Sequence, residues 1–374
     1  MLIYIAALPL LIWLYLLLLR GNFWDVSGEL APGDLPRIEG KRVCILIPAR
    51  NEAAVIGPTI DSLTKQDFTG FLHIFLIDDN STDGTAEAAG RAETLTIVSG
   101  KPLPPGWNGK LWALSQAVTA AYELAPDYLL FTDADIVHGR TSLAQLIGLA
   151  ETRGYDLTSL MVKLHCATFA EKALIPPFVF FFFKLYPPAW IRSPRPRTAG
   201  AAGGCILVRP EMLRKIGGLD AIRTEVIDDC AIARAVKRNG GRVWLGLTPQ
   251  IVSTRSYDGA KEIGSMISRT AFNQLRHSSL LLAGAAVGLF ITYLLPLVLL
   301  FSGNIAAAAL GACAWLLMSL LYLPMVRFYR LSLLWAVTLP VAAAFYLGAT
   351  FHSALRYWRG HGGIWKGRIQ DRRL

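Results

Sequence analysis

Two long stretches of this chain contain no charged side chain. No Asp, Glu, Lys or Arg occurs from Leu2 to Leu19 or from Ser279 to Val326. A helix needs about 20 apolar residues to cross roughly 30 Å of hydrocarbon, and a charge at its centre costs about 2.5–3.5 kcal/mol. The rest of the chain is too small to bury so many apolar helices in a core. The sequence therefore predicts a membrane protein.

Four apolar segments are candidate membrane spans. The first lacks a basic segment before it and a cleavage site after it, so we expect residues 1–20 to be a retained anchor. The other three lie within residues 279–351. They are Ser279–Phe301, Ile305–Val326 and Leu331–Phe351.

The basic residues beside these segments predict the orientation of the chain only in part. Arg20, Lys41 and Arg42 follow the anchor and place the middle of the chain in the cytoplasm. The tail, residues 352–374, is also basic and is expected inside, yet three further spans would leave it outside. Either Leu331–Phe351, which contains Pro340, is re-entrant or interfacial, or another late segment is.

Between the apolar segments, residues 41–276 alternate β-type runs with helical patterns. Largely apolar runs of this kind are typical of parallel strands that are covered on both faces. The runs are Arg42–Ile47, Phe71–Ile77, Leu95–Val98, Tyr128–Phe131 and the later Cys205–Val208. The helical patterns are Val55–Lys65, Thr85–Ala92 and Leu111–Leu124. The predicted fold class is α/β, with a Rossmann-like, mostly parallel sheet.

Polar and acidic clusters follow three of the predicted strands. They are Pro48-Ala49-Arg50-Asn51-Glu52, Asp78-Asp79-Asn80-Ser81-Thr82-Asp83-Gly84 and Asp133-Ala134-Asp135. Ligands of such sheets bind beyond the carboxyl ends of the strands. Asp133 and Asp135 stand two residues apart at a strand end, so both carboxylates can share one cation. Their hard oxygen atoms suit Mg²⁺ or Mn²⁺, which complete their ligand shells with phosphate oxygens.

Several other classes of protein lack their sequence signatures here. No glycine-rich dinucleotide motif and no P-loop is present. The five cysteines are dispersed, which excludes a CxxC-type zinc site and argues against a disulfide framework. The excess of 37 Lys and Arg over 27 Asp and Glu suits anionic lipid or phosphate, and its scattered distribution argues against nucleic acid as a partner. None of the six histidines shows a catalytic pattern.

The order of the polar motifs resembles the family-2 inverting glycosyltransferases with the GT-A fold. The ordered set adds Gly109-Lys110 and Asp228-Asp229 to the three clusters above and covers residues 41–276. With one anchor before the domain and several spans after it, the layout is similar to that of ceramide glucosyltransferases. It is more similar to that of the hopene-associated bacterial glycosyltransferases, through Trp107–Ala113, Phe178–Phe183 and Ile227–Ala231.

This resemblance implies a nucleotide-sugar donor, a UDP- or GDP-sugar, and a set of residues that bind it. The expected donor residues are Pro48, Arg50, Glu52, Asp78, Asp79, Lys110, Asp133 and Arg276. Glu52 would accept from the ribose hydroxyls, and Asp79 would face the base with Asp78 beside it. Lys110 would neutralise phosphate, unless it is only a solvated lysine at a helix start. Asp135 would be the main ligand of Mg²⁺ or Mn²⁺, and Asp133 would touch the sugar or the metal.

The resemblance also implies a catalytic base on the acceptor side. An inverting transfer is a single in-line displacement and needs a base opposite the leaving group. Asp229 is the candidate, and the neighbouring Asp228 is expected to raise its pKa. The alternative is that both acids only stabilise the start of the helix Cys230–Arg238, where negative charge is favourable. The two roles are compatible.

One motif departs from the pattern of membrane-bound relatives. Many of them carry Q/R-x-x-R-W before the late spans, whereas this chain reads Asn273-Gln274-Leu275-Arg276-His277. In that motif the aromatic residue stacks on the acceptor sugar of processive enzymes, so its absence favours a single transfer. Arg276 and Arg269 are expected near the diphosphate, or are ordinary arginines beside the membrane.

The aromatic run Phe178–Phe183 is too short to cross a bilayer. Basic flanks and nearby Trp190 are typical of the headgroup boundary, so we expect an interfacial segment at about 172–190 that guides a lipid acceptor. The alternative is a buried strand or helix of the core.

Together these features predict a multi-pass enzyme of the bacterial inner membrane with a cytoplasmic catalytic domain. It transfers a sugar to a lipid, and the resemblance suggests a hopanoid or polyisoprenoid as that lipid. Two alternatives stay open at this stage: a processive polysaccharide synthase, and an inactive scaffold or transport component.

Overall fold

A mixed sheet of eight strands forms the centre of the middle domain. A computed structural model describes residues 2–26, 38–194, 198–365 and 368–369. The strands are β1 (Arg42–Ala49), β2 (Phe71–Asp78), β3 (Leu95–Ser99), β4 (Tyr128–Thr132), β5 (Ile136–His138), β6 (Leu157–Lys163), β7 (Cys205–Val208) and β8 (Val243–Ser253). Their order across the sheet is β3-β2-β1-β4-β7-β6-β8-β5.

The prediction of a mostly parallel sheet is wrong for the second half of the domain. Strands β1 to β4 pair in parallel, and β6 is parallel to β8. Strand β7 runs antiparallel to β4 and β6, and β5 runs antiparallel to β8. A parallel return needs a crossover to the opposite end of the sheet. Strand β7 instead starts beside Thr132, where β4 ends, so the chain re-enters the sheet from that edge.

Helices cover both faces of this sheet. Those up to the end of the domain are α1 (Leu2–Leu19), α2 (Ala53–Thr64), α3 (Thr85–Ala88), α4 (Gly109–Tyr122), α5 (Ser142–Arg153), α6 (Phe169–Leu185), α7 (Pro188–Arg192), α8 (Pro210–Lys215), α9 (Asp228–Arg238), α10 (Ala260–Ser268) and α11 (Ala271–Gln274). Because side chains alternate along a strand, Ile45 joins one apolar layer with α2 and α5, and Leu46 joins the other with α4 and α9.

Two predicted elements differ from the structure. The helix predicted at Thr85–Ala92 ends at Ala88, and Gly90 follows with a left-handed φ of +73°. Strand β3 lies at the sheet edge and exposes Thr96, Ile97 and Ser99, so it is not a strand buried on both faces. The other predicted strands and helices are present with bounds shifted by a few residues.

The late part of the chain is helical. Helix α12 (Ser279–Leu289) continues through a π-helical turn (Phe290–Leu294) into α13 (Leu295–Leu300), and α14 (Ile305–Phe328) follows. A 3₁₀ turn (Leu333–Thr338) leads into α15 (Leu339–Trp358), and a small hairpin pairs β9 (Ile364–Trp365) with β10 (Arg368–Ile369). Within the described part of the chain, five helical stretches are long and apolar enough to cross a bilayer: Leu2–Leu19, Phe169–Arg192, Ser279–Leu300, Ile305–Phe328 and Leu333–Trp358.

The aromatic run lies in α6, which joins the domain to the apolar helices. The helix begins with a capping box, in which Thr168 accepts from the Glu171 amide and Glu171 accepts from the Thr168 amide. Phe180 is buried and packs its ring against Phe23 and Tyr322, each with a centroid distance of 5.2 Å. One face of the aromatic run is therefore buried in the core. This agrees with the alternative prediction, a buried helix of the core.

Candidate active site

A cavity of about 480 Å³ opens where β1, β4 and β8 end. Its wall combines charged residues from these strand ends with apolar residues from α6 and β6. Six carboxylates and three basic side chains line it: Glu52, Asp133, Asp135, Asp228, Asp229 and Glu262, with Lys110, Arg255 and Arg269. This excess of acid means that a phosphate-bearing ligand needs further positive charge to bind here.

Lys110 connects two of the predicted motifs. Its ammonium Nζ lies 2.8 Å from Asp133 Oδ1 and 3.5 Å from Asp228 Oδ2. Burial alone would lower the pKa of Lys110, but these carboxylates raise it above its ordinary value, so the side chain stays charged. Asn108 caps α4 by accepting from the Lys110 amide, and its own amide group donates to the Glu225 carbonyl. Lys110 therefore forms ion pairs with Asp133 and Asp228 and is not a solvated lysine.

Asp229 lies half-buried at the start of α9, close to Lys110. Its Oδ2 accepts from the backbone N–H of Gly203 at 2.9 Å, and its Oδ1 accepts from the Cys230 N–H at 2.7 Å. Burial and the neighbouring Asp228 raise the pKa of Asp229 to about 6, against the opposing charge of Lys110. The expectation of a raised pKa is confirmed, and so is the place of both acids in the first turn of a helix.

Asp135 is held by residues at the end of β8. Ser253 Oγ donates to Asp135 Oδ2 at 2.9 Å, and Arg255 Nε donates to the same oxygen at 3.1 Å. The Arg255 Nη2 also donates to both oxygens of Glu52, at 2.9 and 2.8 Å. Burial would lower the pKa of Arg255, but Asp135 and Glu52 hold it above its ordinary range. The guanidinium therefore ties the loop after β1 to the Asp133-Ala134-Asp135 turn.

Asp133 and Asp135 are the two carboxylates predicted to hold a divalent cation. Both line the cavity, and since Ser253 and Arg255 donate to Oδ2 of Asp135, its Oδ1 is left for another partner. Burial raises the pKa of Asp133, although Lys110 opposes that shift. Among the described residues no group of three or more His, Cys, Asp or Glu is arranged to hold a metal. A cation here would take part of its ligand shell from phosphate oxygens.

The remaining donor residues lie at the same sheet edge but divide into two groups. Pro48 and Glu52 line the cavity. Asp79 is buried, and Arg50 donates to its carbonyl at 2.5 Å, while the Asp78 carboxylate accepts from the Ser81 amide. The cavity lining within the described residues does not include Arg50, Asp78 or Asp79. These three form a polar group at the ends of β1 and β2.

The two arginines predicted near the diphosphate lie in different places. Arg269 lines the cavity, whereas Arg276 is exposed and is not part of the described lining. His277 stacks on Tyr357 of α15 with a centroid distance of 4.0 Å and also contacts Phe272. His277, which stands where processive enzymes carry the aromatic residue of the motif, therefore packs between helices.

Two residues of the site were missed by the sequence reasoning. Arg255 lies two residues after the end of β8, a strand that was not predicted, although Ser253-Thr254-Arg255 has the polar composition of a strand end. Gly203 belongs to the noted stretch Gly200-Ala201-Ala202-Gly203-Gly204. A Cβ atom at Gly203 would lie 3.3 Å from Lys110 Nζ and 3.5 Å from Asp229 Oδ2, so the Gly203 backbone lies close to both side chains.

Comparison with known proteins shows which proteins this chain is similar to. Residues 44–217, a little under half of the chain, match the family model described as glycosyl transferase family 2. A mannosyltransferase from Pyrobaculum calidifontis, solved with GDP-Man and Mn²⁺, has a similar structure with a TM-score of 0.55 and 21% identity. The similarity covers 95% of this chain and 99% of that one and shows a shared GT-A-like fold.

Two curated relatives match shorter parts of the chain. One is a beta-monoglucosyldiacylglycerol synthase from Synechocystis, 40% identical over 62 residues, which are 16% of this chain and 13% of the relative. The other is a 4,4'-diaponeurosporenoate glycosyltransferase from Staphylococcus aureus, 30% identical over 140 residues, which are 34% and 36% of the two chains. The chain thus aligns with well under half of the length of either relative.

Proposed function

We propose that this chain is a membrane-embedded enzyme that transfers a sugar, with inversion, from a UDP- or GDP-sugar to a lipid acceptor. The observation that carries the proposal is the composition of one cavity. Asp133, Asp135 and Asp229 line it together with Phe178 and Phe182 of α6. A charged donor and an apolar acceptor can therefore meet in one place.

Mg²⁺ or Mn²⁺ is the proposed cofactor, held by Asp135 with Asp133. It would supply positive charge that neutralises the diphosphate leaving group. The chain adds Lys110, which is already paired with Asp133 and Asp228 and is directed at the same cavity. Arg255 keeps the Asp135 and Glu52 side chains in a fixed relation, and Glu52 is the proposed acceptor for the ribose hydroxyls. The complex of the Pyrobaculum protein with GDP-Man and Mn²⁺ supports this choice of ligands.

Asp229 is the proposed base that removes the proton of the acceptor hydroxyl. With a pKa of about 6, its carboxylate is mostly ionised at neutral pH and is a stronger base than an ordinary aspartate. The Gly203 amide donates to Oδ2 and the Cys230 amide donates to Oδ1, so the carboxylate is fixed in orientation. Asp228 would act through Asp229 by repelling its negative charge.

A lipid is the proposed acceptor because part of the wall of the cavity is apolar. Met161, Leu164, Phe182 and Met266 lie on this wall with Phe178. One relative is named for monoglucosyldiacylglycerol, a glycolipid, which supports a lipid as the acceptor class. A hopanoid or other polyisoprenoid is the narrower proposal, and it rests on the motif resemblance alone.

The proposed arrangement places the catalytic domain, residues 41–276, on the cytoplasmic face of a bacterial inner membrane. The anchor, residues 1–20, would cross the membrane, and the apolar region 279–351 would be embedded in it. Arg20 donates to the Lys184 carbonyl and lies over the Trp190 ring, so the end of α1 meets the domain beside α6. The aromatic segment at about 172–190 would lie at the membrane surface.

Donor-to-lipid transfer tests the function directly. The full chain in membranes is supplied with Mn²⁺ and a panel of radiolabelled UDP- and GDP-sugars, and the label in extracted lipid is counted. We expect one donor to label lipid, and Asp135→Ala to abolish that label while Asp61→Asn, an exposed change on α2, leaves it intact. Full activity of Asp135→Ala would refute the metal assignment, and soluble polymer in place of labelled lipid would indicate a processive synthase.

A further inference from the structure

We propose that residues 331–358 form a re-entrant hairpin, which enters and leaves the membrane on the face that carries the catalytic domain. Its exposed apolar surface contacts the acyl chains of that one leaflet. The chain after α15 then returns to the domain side. This inference rests on the membrane arrangement proposed above, but it does not depend on the reaction.

The chain enters this segment on the domain side. Helix α14 ends at Phe328, and Tyr329 follows. The Nζ of Lys163, the last residue of β6, lies 5.7 Å from the ring centre of Phe328 and 5.8 Å from that of Tyr329. The chain therefore leaves α14, at Arg330, beside the catalytic domain.

The connection that follows is too short to reach the opposite face. From Arg330 to Leu333 the chain can extend at most about 10 Å. The six residues Leu333–Thr338 form a 3₁₀ turn, which adds about 12 Å. The sum is well below the roughly 30 Å of the hydrocarbon core. Helix α15 therefore begins inside the membrane and not at its far side.

A hydrogen bond gives the depth of the turn. Trp315 Nε1 donates to the Val337 carbonyl at 3.1 Å. Trp315 is ten residues after Ile305, the first residue of α14, and thirteen before Phe328. At about 1.5 Å per residue it lies roughly 15 Å from the far end of α14 and roughly 20 Å from the domain end. The turn thus lies beside the middle of α14, the helix that crosses the bilayer in the proposed arrangement.

Helix α15 then runs back along the domain. The Tyr346 hydroxyl donates to the Leu174 carbonyl of α6 at 2.8 Å, and the Phe272 amide of α11 donates to Ser353 Oγ at 3.0 Å. The Trp358 ring lies 5.6 Å from the Phe272 ring. Both ends of the segment 331–358 therefore meet elements of the catalytic domain.

The sequence on either side agrees with this path. Residues 331–351 contain no charge, and Leu334 and Val341 are exposed by 77% and 70%. The uncharged residues 331–351 are flanked by Arg327 and Arg330 before them and by Arg356 and Arg359 after them. Basic residues at both flanks favour the same cytoplasmic side for both. The hairpin removes the conflict between the number of spans and the basic tail.

Cysteine labelling of the full chain in membranes tests the hairpin. In a background with Cys166→Ser and Cys313→Ser, single cysteines are introduced as His361→Cys after α15, Lys215→Cys in the domain and Ser302→Cys between α13 and α14. A membrane-impermeant maleimide is applied to spheroplasts and to inside-out vesicles. We expect His361→Cys and Lys215→Cys to react only in the vesicles and Ser302→Cys only in the spheroplasts. Arg359→Cys is a second reporter for the end of α15.

The outcomes separate the hairpin from the membrane arrangement. If His361→Cys is labelled in the same preparation as Ser302→Cys, the spheroplasts, then α15 crosses the membrane. The hairpin is then refuted, while the other spans stand. If Lys215→Cys and Ser302→Cys react on the same side, the arrangement of spans fails and the hairpin fails with it. A spin label at Leu334→Cys should be open to oxygen and closed to a nickel chelate, like one at Leu316→Cys in mid-α14. Access of the chelate to Leu334→Cys would equally refute contact with acyl chains.

Discussion

Two opposing influences determine when Asp229 can act as a base. Burial and the carboxylate of Asp228 favour its protonated form, whereas Lys110 and the Gly203 amide favour the ionised form. The balance places its pKa at about 6. A base must be ionised to accept a proton, so the transfer rate should rise with pH through this value and fall below it.

Replacement of Asp229 gives the first prediction at the residue scale. Asp229→Asn removes the base but keeps the size of the side chain, so kcat should fall by about 10²–10⁴-fold. In Asp228→Asn the repelling charge is gone, so the acid limb of the pH–rate profile should move to lower pH. Both are measured as label transfer to lipid from pH 5 to 8. Near-normal kcat in Asp229→Asn, or an unchanged acid limb in Asp228→Asn, would contradict this assignment.

Arg255 is the second residue whose role the geometry defines. Its guanidinium donates to Glu52 and Asp135 at the same time, which a fork of several N–H donors allows and a single ammonium group does not reproduce. Without it, two carboxylates of the cavity lose a cationic partner and repel the diphosphate. Arg255 is a positioning residue in this account.

Arg255→Gln should therefore weaken the binding of UDP or GDP in the presence of Mn²⁺ by about tenfold, a change of about 1.4 kcal/mol. Arg255→Lys should recover only part of that loss, because Lys reaches one carboxylate at a time. Arg238→Gln, an exposed change at the end of α9, is the matched control for net charge. Calorimetric titration measures the affinity. Equal affinities for Arg255→Gln and Arg238→Gln would exclude the positioning role.

At the scale of single elements, the strand ends are what the sequence predicts well. Apolar β-type runs end in polar residues at Pro48, Asp78 and Asp133, and the structure brings these ends to one edge. The prediction of strand ends succeeds because the apolar run of a strand buried on both faces ends where the chain leaves the sheet. The helix start at Gly109 and that at Asp228 are predictable for the same kind of local reason, since both carry a capping or acidic residue.

Other elements depend on contacts that a single sequence does not contain. Strand β8 mixes buried and exposed positions around Pro249, so its pattern is weak, and Arg255 at its end was missed. The direction of β7 depends on where the chain returns to the sheet, and composition does not specify that. The packing of His277 is decided by α15, which lies about 80 residues later in the chain.

At the scale of the whole molecule, α6 connects the cavity to the apolar helices. Phe178 and Phe182 face the cavity, and Phe180, between them, packs against Tyr322 of α14. The Phe181 ring contacts Tyr293 and Tyr346, in the π-helical turn and in α15. The aromatic run thus presents one face to the proposed acceptor path and another to the proposed membrane region. An acceptor that reaches Asp229 from the bilayer would pass along this helix.

The double variant Phe178→Ala and Phe182→Ala should impair the use of the lipid acceptor more than the use of the donor. Removing two half-buried rings from the acceptor path loses at least about 1.4 kcal/mol of apolar contact, which predicts a rise of about tenfold or more in KM for lipid. Donor hydrolysis by water, measured as release of nucleoside diphosphate without lipid, should change much less, because hydrolysis needs no lipid in the acceptor path. Phe169→Ala, which removes an exposed ring at the start of α6, is the control. If transfer and hydrolysis fall by the same factor, the two rings support the fold of the site and do not guide the acceptor.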